Sequence, residues 1–297
     1  MAQIRSYRRR GSPDLPLAVY LDDFRAAHAH PIPEYHPEIE IVRLIRGHAV
    51  LQLDGVAHSF REGDVFIIPG NAVHYYQSFS PDAKWCSLIF APEAITMHPG
   101  HYFQTDFVQP LIEGRLSLPT LLQPGHPAYD TVVQQMELIL DSKIYAKGYK
   151  LRRFAALMVI CTTLIPYCTL QNRDRPVIDP GNDAIRLCMR YIHNKYDQKI
   201  TLEDLSSACH LHPNYLCTIF KRYTGQTLFD YITRFRIETA AQLLKNQGLP
   251  TGKVGEMVGF HSESLFYRKF KAIMGVTPKA YAKQLHQALE LQKSATE

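Results

Sequence analysis

The sequence predicts an α+β chain of several domains: a front β-barrel, a helical pair, and an all-α back domain with two helix–turn–helix units joined by a helix. Three observations predict it. Between about residues 16 and 122, short runs rich in Val, Ile, Phe and Tyr are cut by Gly, Pro and Asp-Gly punctuation. From about Tyr129 onward, apolar residues recur instead at helical spacing. Charge is divided as well: residues 1–181 carry 17 Lys+Arg against 18 Asp+Glu, and residues 182–297 carry 16 against 10. A near-neutral front and a basic back suggest two tasks, the second with a polyanion. The expected domains are 1–128, 129–170 and 183–291, with 171–182 as linker.

The first ten residues are basic, but Gly-Ser-Pro-Asp follows them where a secretory signal would be apolar. Residues 5–10 therefore read as a disordered arm, and the His28/His30 pair as loop. Strands are expected at 39–45, 49–53, 57–60, 65–68, 73–79 and 85–90, separated by turn signals such as Asp54-Gly55 and Pro69-Gly70-Asn71. Short strands at this spacing indicate an antiparallel sandwich or barrel. A helix then carries Val132, Val133, Met136, Ile139, Leu140 and Ile144 on one face, and a second runs from about Tyr149. Such a pair braces its own domain or holds a second copy. The most apolar run, 154–168, is too short to span a bilayer. Six scattered cysteines without a C-x-x-C pair read as reduced thiols in the cytoplasm.

In the back domain Thr201 caps a helix over 202–208, residues 209–212 break it, and Pro213 starts a second helix through about Tyr223. Leu202, Leu205, Ala208, Leu211, Leu216, Ile219 and Phe220 supply the apolar set that locks two short helices across a tight turn. About fifty residues on the pattern recurs: Val254, Met257 and Val258, then Gly259-Phe260-His261, then Ser262 capping a helix over 263–274. One helix, about 228–246, bridges the two.

The pairs Phe220-Lys221 with Gly225, Arg236 with Ala240 and Leu243-Leu244, Gly259-Phe260, and Phe270-Lys271 with Gly275 and Thr277-Pro278 resemble the paired helix–turn–helix domain of AraC/XylS-type bacterial transcription regulators. The resemblance covers about residues 182–284. His212, Cys217, Thr218 and Ala282 depart from the residues common there. By that resemblance Asn214, Cys217 and Thr218 face the DNA groove from the first recognition helix, with Lys221 and Arg222 nearer the backbone. In the second, Glu263, Ser264, Tyr267 and Arg268 take the corresponding places. Asn can pair with adenine, Arg with guanine, and Thr can touch a thymine methyl. Cys217 and Tyr267 carry a second reading, as packing against the partner helix.

In the front, Glu34 to Gly47 holds His36 and Glu40 four apart, and Gly63 is followed by Pro69 and His74. These two runs resemble the cupin motifs, whose His and Glu side chains converge inside a small barrel. In a strand, positions 36 and 40 point to one face. His36, Glu40, His74 and Tyr76, with Arg43 and Trp85, are expected to line a polar, aromatic-edged cavity for a small polar effector such as a carbohydrate. Arg43 and Trp85 have a second reading as ordinary interior or rim side chains. The metal-binding form of the motif has His where this chain has Glu34, and AraC-type sensor domains bind effectors without metal; no metal and no cofactor is expected.

The resemblance implies a cytoplasmic, homodimeric regulator, more often an activator, that binds double-stranded promoter DNA and works with RNA polymerase. No Ser-His-Asp order, P-loop or Rossmann glycine pattern points to catalysis. The rival reading is a metal-dependent cupin enzyme or metal sensor fused to a DNA-binding domain.

Overall fold

The computed structural model describes residues 15–23, 32–141, 147–170, 180–244 and 249–294. The basic arm, His28 and His30, Ile144 and most of the linker lie outside these residues. The chain forms two compact units, dividing between Asn182 and Asp183.

The first unit is built on two antiparallel sheets. One has strand order β1-β7-β2-β5-β9, from β1 (Leu17–Asp23), β2 (Ile39–Arg46), β5 (Val65–Ile68), β7 (Lys84–Phe90) and β9 (Leu121–Leu122). The other has order β4-β3-β6, from β3 (His48–Leu53), β4 (Val56–Arg61) and β6 (His74–Phe79). All six strands expected over 39–90 form. The strand β1 pairs with β7 along its whole length, although no turn signal marks it out.

Alternation along the strands sorts side chains into two cores. Val42 and Leu44 of β2, Phe66 and Ile68 of β5 and Trp85 of β7 turn inward, against Ala49, Leu51, Leu53 and Phe60 of the smaller sheet. Ile39, Ile41, Val65, Ile67, Cys86 and Leu88 turn outward, and helices cover them. Those helices are α2 (Tyr129–Asp141) and α3 (Tyr149–Leu164), which follow the short α1 (Gln109–Ile112) and β8 (Leu116–Ser117). Val132, Met136 and Ile139 of α2 are buried in this outer core, with Val133 and Leu140 packed against it. The apolar stripe read as a brace or a dimer contact therefore covers the chain's own sheet. Leu138, Leu151 and Val159 remain exposed. A two-residue β10 (Thr169–Leu170) pairs with β8.

The second unit is all helical. It opens with α4 (Pro180–Lys195), which begins inside the stretch read as linker because proline suits the first helical turn. Next come α5 (Leu202–Cys209), α6 (Pro213–Thr224), α7 (Leu228–Leu243), α8 (Thr251–Met257), α9 (Glu263–Met274) and α10 (Pro278–Ser294). Thr201 and Asp204 form a reciprocal capping box on α5, and Thr227 and Ser262 cap α7 and α9. The bridging helix α7 sits in both halves of the unit. Its Tyr231 and Phe235 stack with His193 of α4, while Ile237, Ala240, Ala241 and Leu243 pack with Val254, Phe266 and Phe270. Arg236 donates to the carbonyls of Tyr196 (2.7 Å) and Gln198 (2.6 Å). Gly259 in the second turn has φ +86°, and a Cβ there would come within 2.6 Å of the Tyr196 carbonyl oxygen. Conformation and space both demand glycine there.

Candidate functional site

The barrel site begins with a close approach of backbones. Glu34 and His74 form an antiparallel bridge with both hydrogen bonds made, at 3.0 and 2.9 Å. The Asn71 N–H donates to the His36 carbonyl, and a Cβ on Gly70 would lie 2.4 Å from the Pro37 oxygen. The segment before β2 is thus pressed onto the turn before β6. This brings His36, the first residues of β2 and the first residue of β6 together.

His36, Glu40 and His74 are all buried, and their ligand atoms lie within 4.8 Å of one another. His36 Nε2 is 3.5 Å from Glu40 Oε2, and His74 Nε2 is 3.8 Å from the same oxygen and 3.9 Å from Glu34 Oε1. The two imidazoles meet edge to face at 5.0 Å. His36 Nδ1 lies 3.0 Å from the Glu38 carbonyl and His74 Nδ1 lies 2.9 Å from the Ala72 carbonyl. A carbonyl accepts, so each Nδ1 serves as the donor there, and each Nε2 is turned toward the cluster. Burial pushes the Glu40 carboxyl upward. The His36 hydrogen bond, the charges of His74 and His36 and a hydrogen bond from Ser87 outweigh it and hold the group below its ordinary range. His74 Nε2 is buried with no hydrogen-bond partner. A buried nitrogen left so is costly, and one aimed at a carboxylate suits a cation as well as a polar ligand.

The other expected pocket residues divide. Tyr76 and Trp85 turn into the inner core and stack on each other at 5.4 Å, with Phe60 at 6.3 Å from Tyr76. Arg43 does not join them. It points to the opposite face of β2 and donates to Glu137 of α2 at 2.6 Å. The reason is parity: Glu40 and Arg43 are three apart in a strand, so they cannot share a face. Ser87 was missed, though it sits two residues from Trp85 on β7 and the same parity turns it inward.

In the back unit the recognition helices α6 and α9 each bury one face. Leu216, Ile219, Phe220 and Tyr223 are buried in α6, while Asn214, Cys217, Thr218, Lys221 and Arg222 are exposed. The Thr218 hydroxyl donates back to the Asn214 carbonyl, and Arg222 lies over the Tyr223 ring at 4.9 Å. Tyr215, 54% exposed, stands beside them. It was missed, although 215, 218 and 222 follow the i, i+3, i+7 spacing of one helix face. In α9, Phe266 and Phe270 are buried, and Glu263, Ser264 and Arg268 are exposed. The Glu263 carboxylate lies beside Gly252 of α8. Tyr267 is half-buried in the core and its hydroxyl pairs with that of Thr251 at 2.6 Å, as its packing alternative anticipates.

Comparison with known proteins finds two domain families in the chain, described as "Helix-turn-helix domain" over residues 205–284 and "Cupin domain" over residues 25–88. The HTH-type transcriptional regulator YdeC of Bacillus subtilis is 25% identical, over 91% of this chain and 92% of its own length. The melibiose operon regulatory protein of Escherichia coli is 23% identical, over 90% and 91%. The HTH-type transcriptional regulator YisR of Bacillus subtilis is 34% identical over 94 residues, 32% of this chain and 33% of its own length. Among solved structures, the C-terminal domain of AraT from Geobacillus stearothermophilus is 30% identical, covering 38% of this chain and 88% of that one, with a TM-score of 0.33. ToxT from Vibrio cholerae is 15% identical, covering 91% and 97%, with a TM-score of 0.42.

Proposed function

We propose that the chain is a transcription regulator of the AraC/XylS type with an N-terminal cupin-like domain, and that it reads promoter DNA through α6 and α9 under the control of a small polar effector held in the barrel. One observation carries this reading: both recognition helices bury an apolar face and leave polar and cationic side chains exposed on the other. Asn214, Cys217, Thr218 and Tyr215 on α6, and Glu263, Ser264 and Arg268 on α9, are the base-reading candidates; Lys221 and Arg222 are the phosphate candidates. Tyr267, tied to Thr251, is the weakest of the original set.

The effector is a carbohydrate or a related polar metabolite. His36, Glu40 and His74 supply hydrogen bonds to hydroxyls, and the stacked Tyr76 and Trp85 supply an aromatic wall. The melibiose operon regulatory protein, a full-length relative, supports a setting in sugar use. Two copies pair through the ridge of α2 and α3 that carries Leu138, Leu151 and Val159. Work with RNA polymerase as a cytoplasmic activator completes the reading. Among the described residues no helix is long and apolar enough to cross a membrane.

The test separates reading DNA from adhering to it. An operator is selected from a random-sequence pool, and binding to it and to unrelated DNA is measured by anisotropy across a salt series. Arg268→Ala is expected to cost about 1–3 kcal/mol on the operator and much less on unrelated DNA. Lys221→Ala is expected to weaken both alike and to lower the salt slope by about one unit. Equal losses on both DNAs for Arg268→Ala would make it a phosphate contact and move base reading to Asn214 and Tyr215.

A further inference from the structure

We propose that Arg236 is a positioning residue: it fixes the second helix–turn–helix against the first and so sets the separation of the two DNA boxes that α6 and α9 read together. The inference deepens the DNA reading above and rests on it. Arg236 lies on the bridging helix and acts through the two segments it holds, without touching a base.

Three observations carry it. The first is where its contacts fall. Nε donates to the Tyr196 carbonyl at 2.7 Å and Nη2 to the Gln198 carbonyl at 2.6 Å, both in the loop between α4 and α5. The guanidinium carbon also stands 5.9 Å from the centre of the Phe260 ring, in the turn between α8 and α9. Gln198 is three residues before Thr201, the cap of α5, and Gly259 is three before Ser262, the cap of α9. One side chain therefore holds the first unit at its entry and the second at its turn.

The second observation is the lack of slack between those segments. A Cβ on Gly259 would lie 2.6 Å from the Tyr196 oxygen, and 3.0 Å from both the Asp197 carbonyl carbon and Arg236 Nη2. The turn of the second helix–turn–helix thus rests on the loop that leads into the first. The Tyr196 ring completes the joint. It meets Phe235 edge to face at 5.4 Å and packs against the core of Ile237, Val254 and Phe266.

The third is the chemistry of the joint. Two carbonyls of one loop face one planar fork, which a guanidinium fills with two directed donors and an ammonium does not. An apolar side chain would fill such a space at lower desolvation cost, so the orientation the fork imposes accounts for its presence. That orientation matters on a duplex. Moving one box by a base pair shifts it about 3.4 Å along the axis and turns it about 34° around it. A joint held by directed bonds at two points resists that turn, whereas one held by packing alone yields to it.

The experiment uses the full chain and an operator selected from a random-sequence pool, its two boxes located by the losses of Asn214→Ala and Arg268→Ala. The separation of the boxes is then changed by one and two base pairs in each direction, and the Kd is read by anisotropy. The unaltered chain is expected to lose about 100-fold at the worst separation, as when the second of two linked contacts disengages. Arg236→Gln is expected to shrink that spread below about tenfold, chiefly by weaker binding at the best separation, and Arg236→Lys to fall between. A ratio of two affinities from one preparation does not move with the folded fraction, so a variant that is merely destabilised keeps the full spread. Full spread in every folded variant would overturn the proposal and leave Arg236 a stabilising residue only. Two boxes without a preferred separation in the unaltered chain would also overturn it, with the DNA reading left standing. An operator indifferent to both Asn214→Ala and Arg268→Ala would remove that reading, and this inference with it.

Discussion

The two units treat polar groups in their interiors in opposite ways. In the front unit His36, Glu38, Glu40, Asp64, His74, Ser80 and Ser87 are buried, and several join segments far apart in the chain. His74 faces Glu40 across two strands, Ser80 accepts from the His48 N–H, and Asp64 meets Gln123. In the back unit, among the described residues, the buried polar set is Ser206 and Thr224, and each returns its hydroxyl to its own helix. The difference shows where each unit does its work. A barrel that binds inside must carry costly polar groups through its core, and it connects them over long range. A unit that binds a polyanion outside keeps an aromatic core and leaves its polar chemistry on exposed helix faces.

The largest test of this contrast is Phe266→Ala in the back unit. That ring is fully buried between α7, α8 and α9, and its loss is expected to cost about 3–5 kcal/mol by far-UV circular dichroism in urea. A cost under about 1 kcal/mol would mean that the back core is not the aromatic cluster described.

A smaller effect comes from His193, the imidazole nearest to an exception in the back. Its ring stacks on Phe235 at 4.2 Å and its Nε2 pairs with the Tyr231 hydroxyl at 2.8 Å. Burial pushes its pKa from 6.5 down to about 4. Between those values the unfolded chain holds a proton that the folded chain does not. Stability from this group is therefore complete above pH 6.5 and is lost as pH falls toward 4, by about 3 kcal/mol. His193→Phe is expected to remove that share of the acid sensitivity. The measurement is the difference between the two proteins' unfolding free energies at pH 7 and pH 4.5. An unchanged difference would show that the imidazole is solvated in the fold.

The smallest expected effect is that of Arg43→Ala in the front. The partner Glu137 is 60% exposed, so the pair contributes less than about 1 kcal/mol. Effector binding should be unchanged, since Arg43 faces α2 and not the barrel interior. A lost response in this variant would overturn the assignment of the two faces of β2, and with it the line between polar interior and helix-covered exterior.

Much of this was legible in the residues, for a local reason. Turn chemistry and the two periods, near 2 and near 3.6, are properties of short windows, so the strands from β2 to β7 and the helices α5, α6, α8 and α9 stand close to where they are expected. Caps are equally local: Thr201, Pro213, Ser262 and the glycines after α6 and α9 mark helix ends within a residue or two. The fourfold spacing of His36 and Glu40 suggested one strand face, but His36 lies before β2, past a bend at 37–38, and meets Glu40 because its segment is pressed onto the turn before β6. Arg43 could have been excluded by the same rule, because parity needs no partner.

Other features depend on which surfaces meet, and no window of sequence contains that. The apolar stripe of α2 has the same pattern whether it covers its own sheet or a second copy; only the outward row of Ile39, Ile41, Val65 and Ile67 accounts for it. Tyr267 is a groove residue by position and a core residue by contact, because Thr251 lies one helix away. Glu34 looked like a lost ligand position until the bridge to His74 carried it to the mouth of the cluster. Periodicity is written along the chain, whereas burial and the partner of a buried nitrogen arise between segments dozens of residues apart.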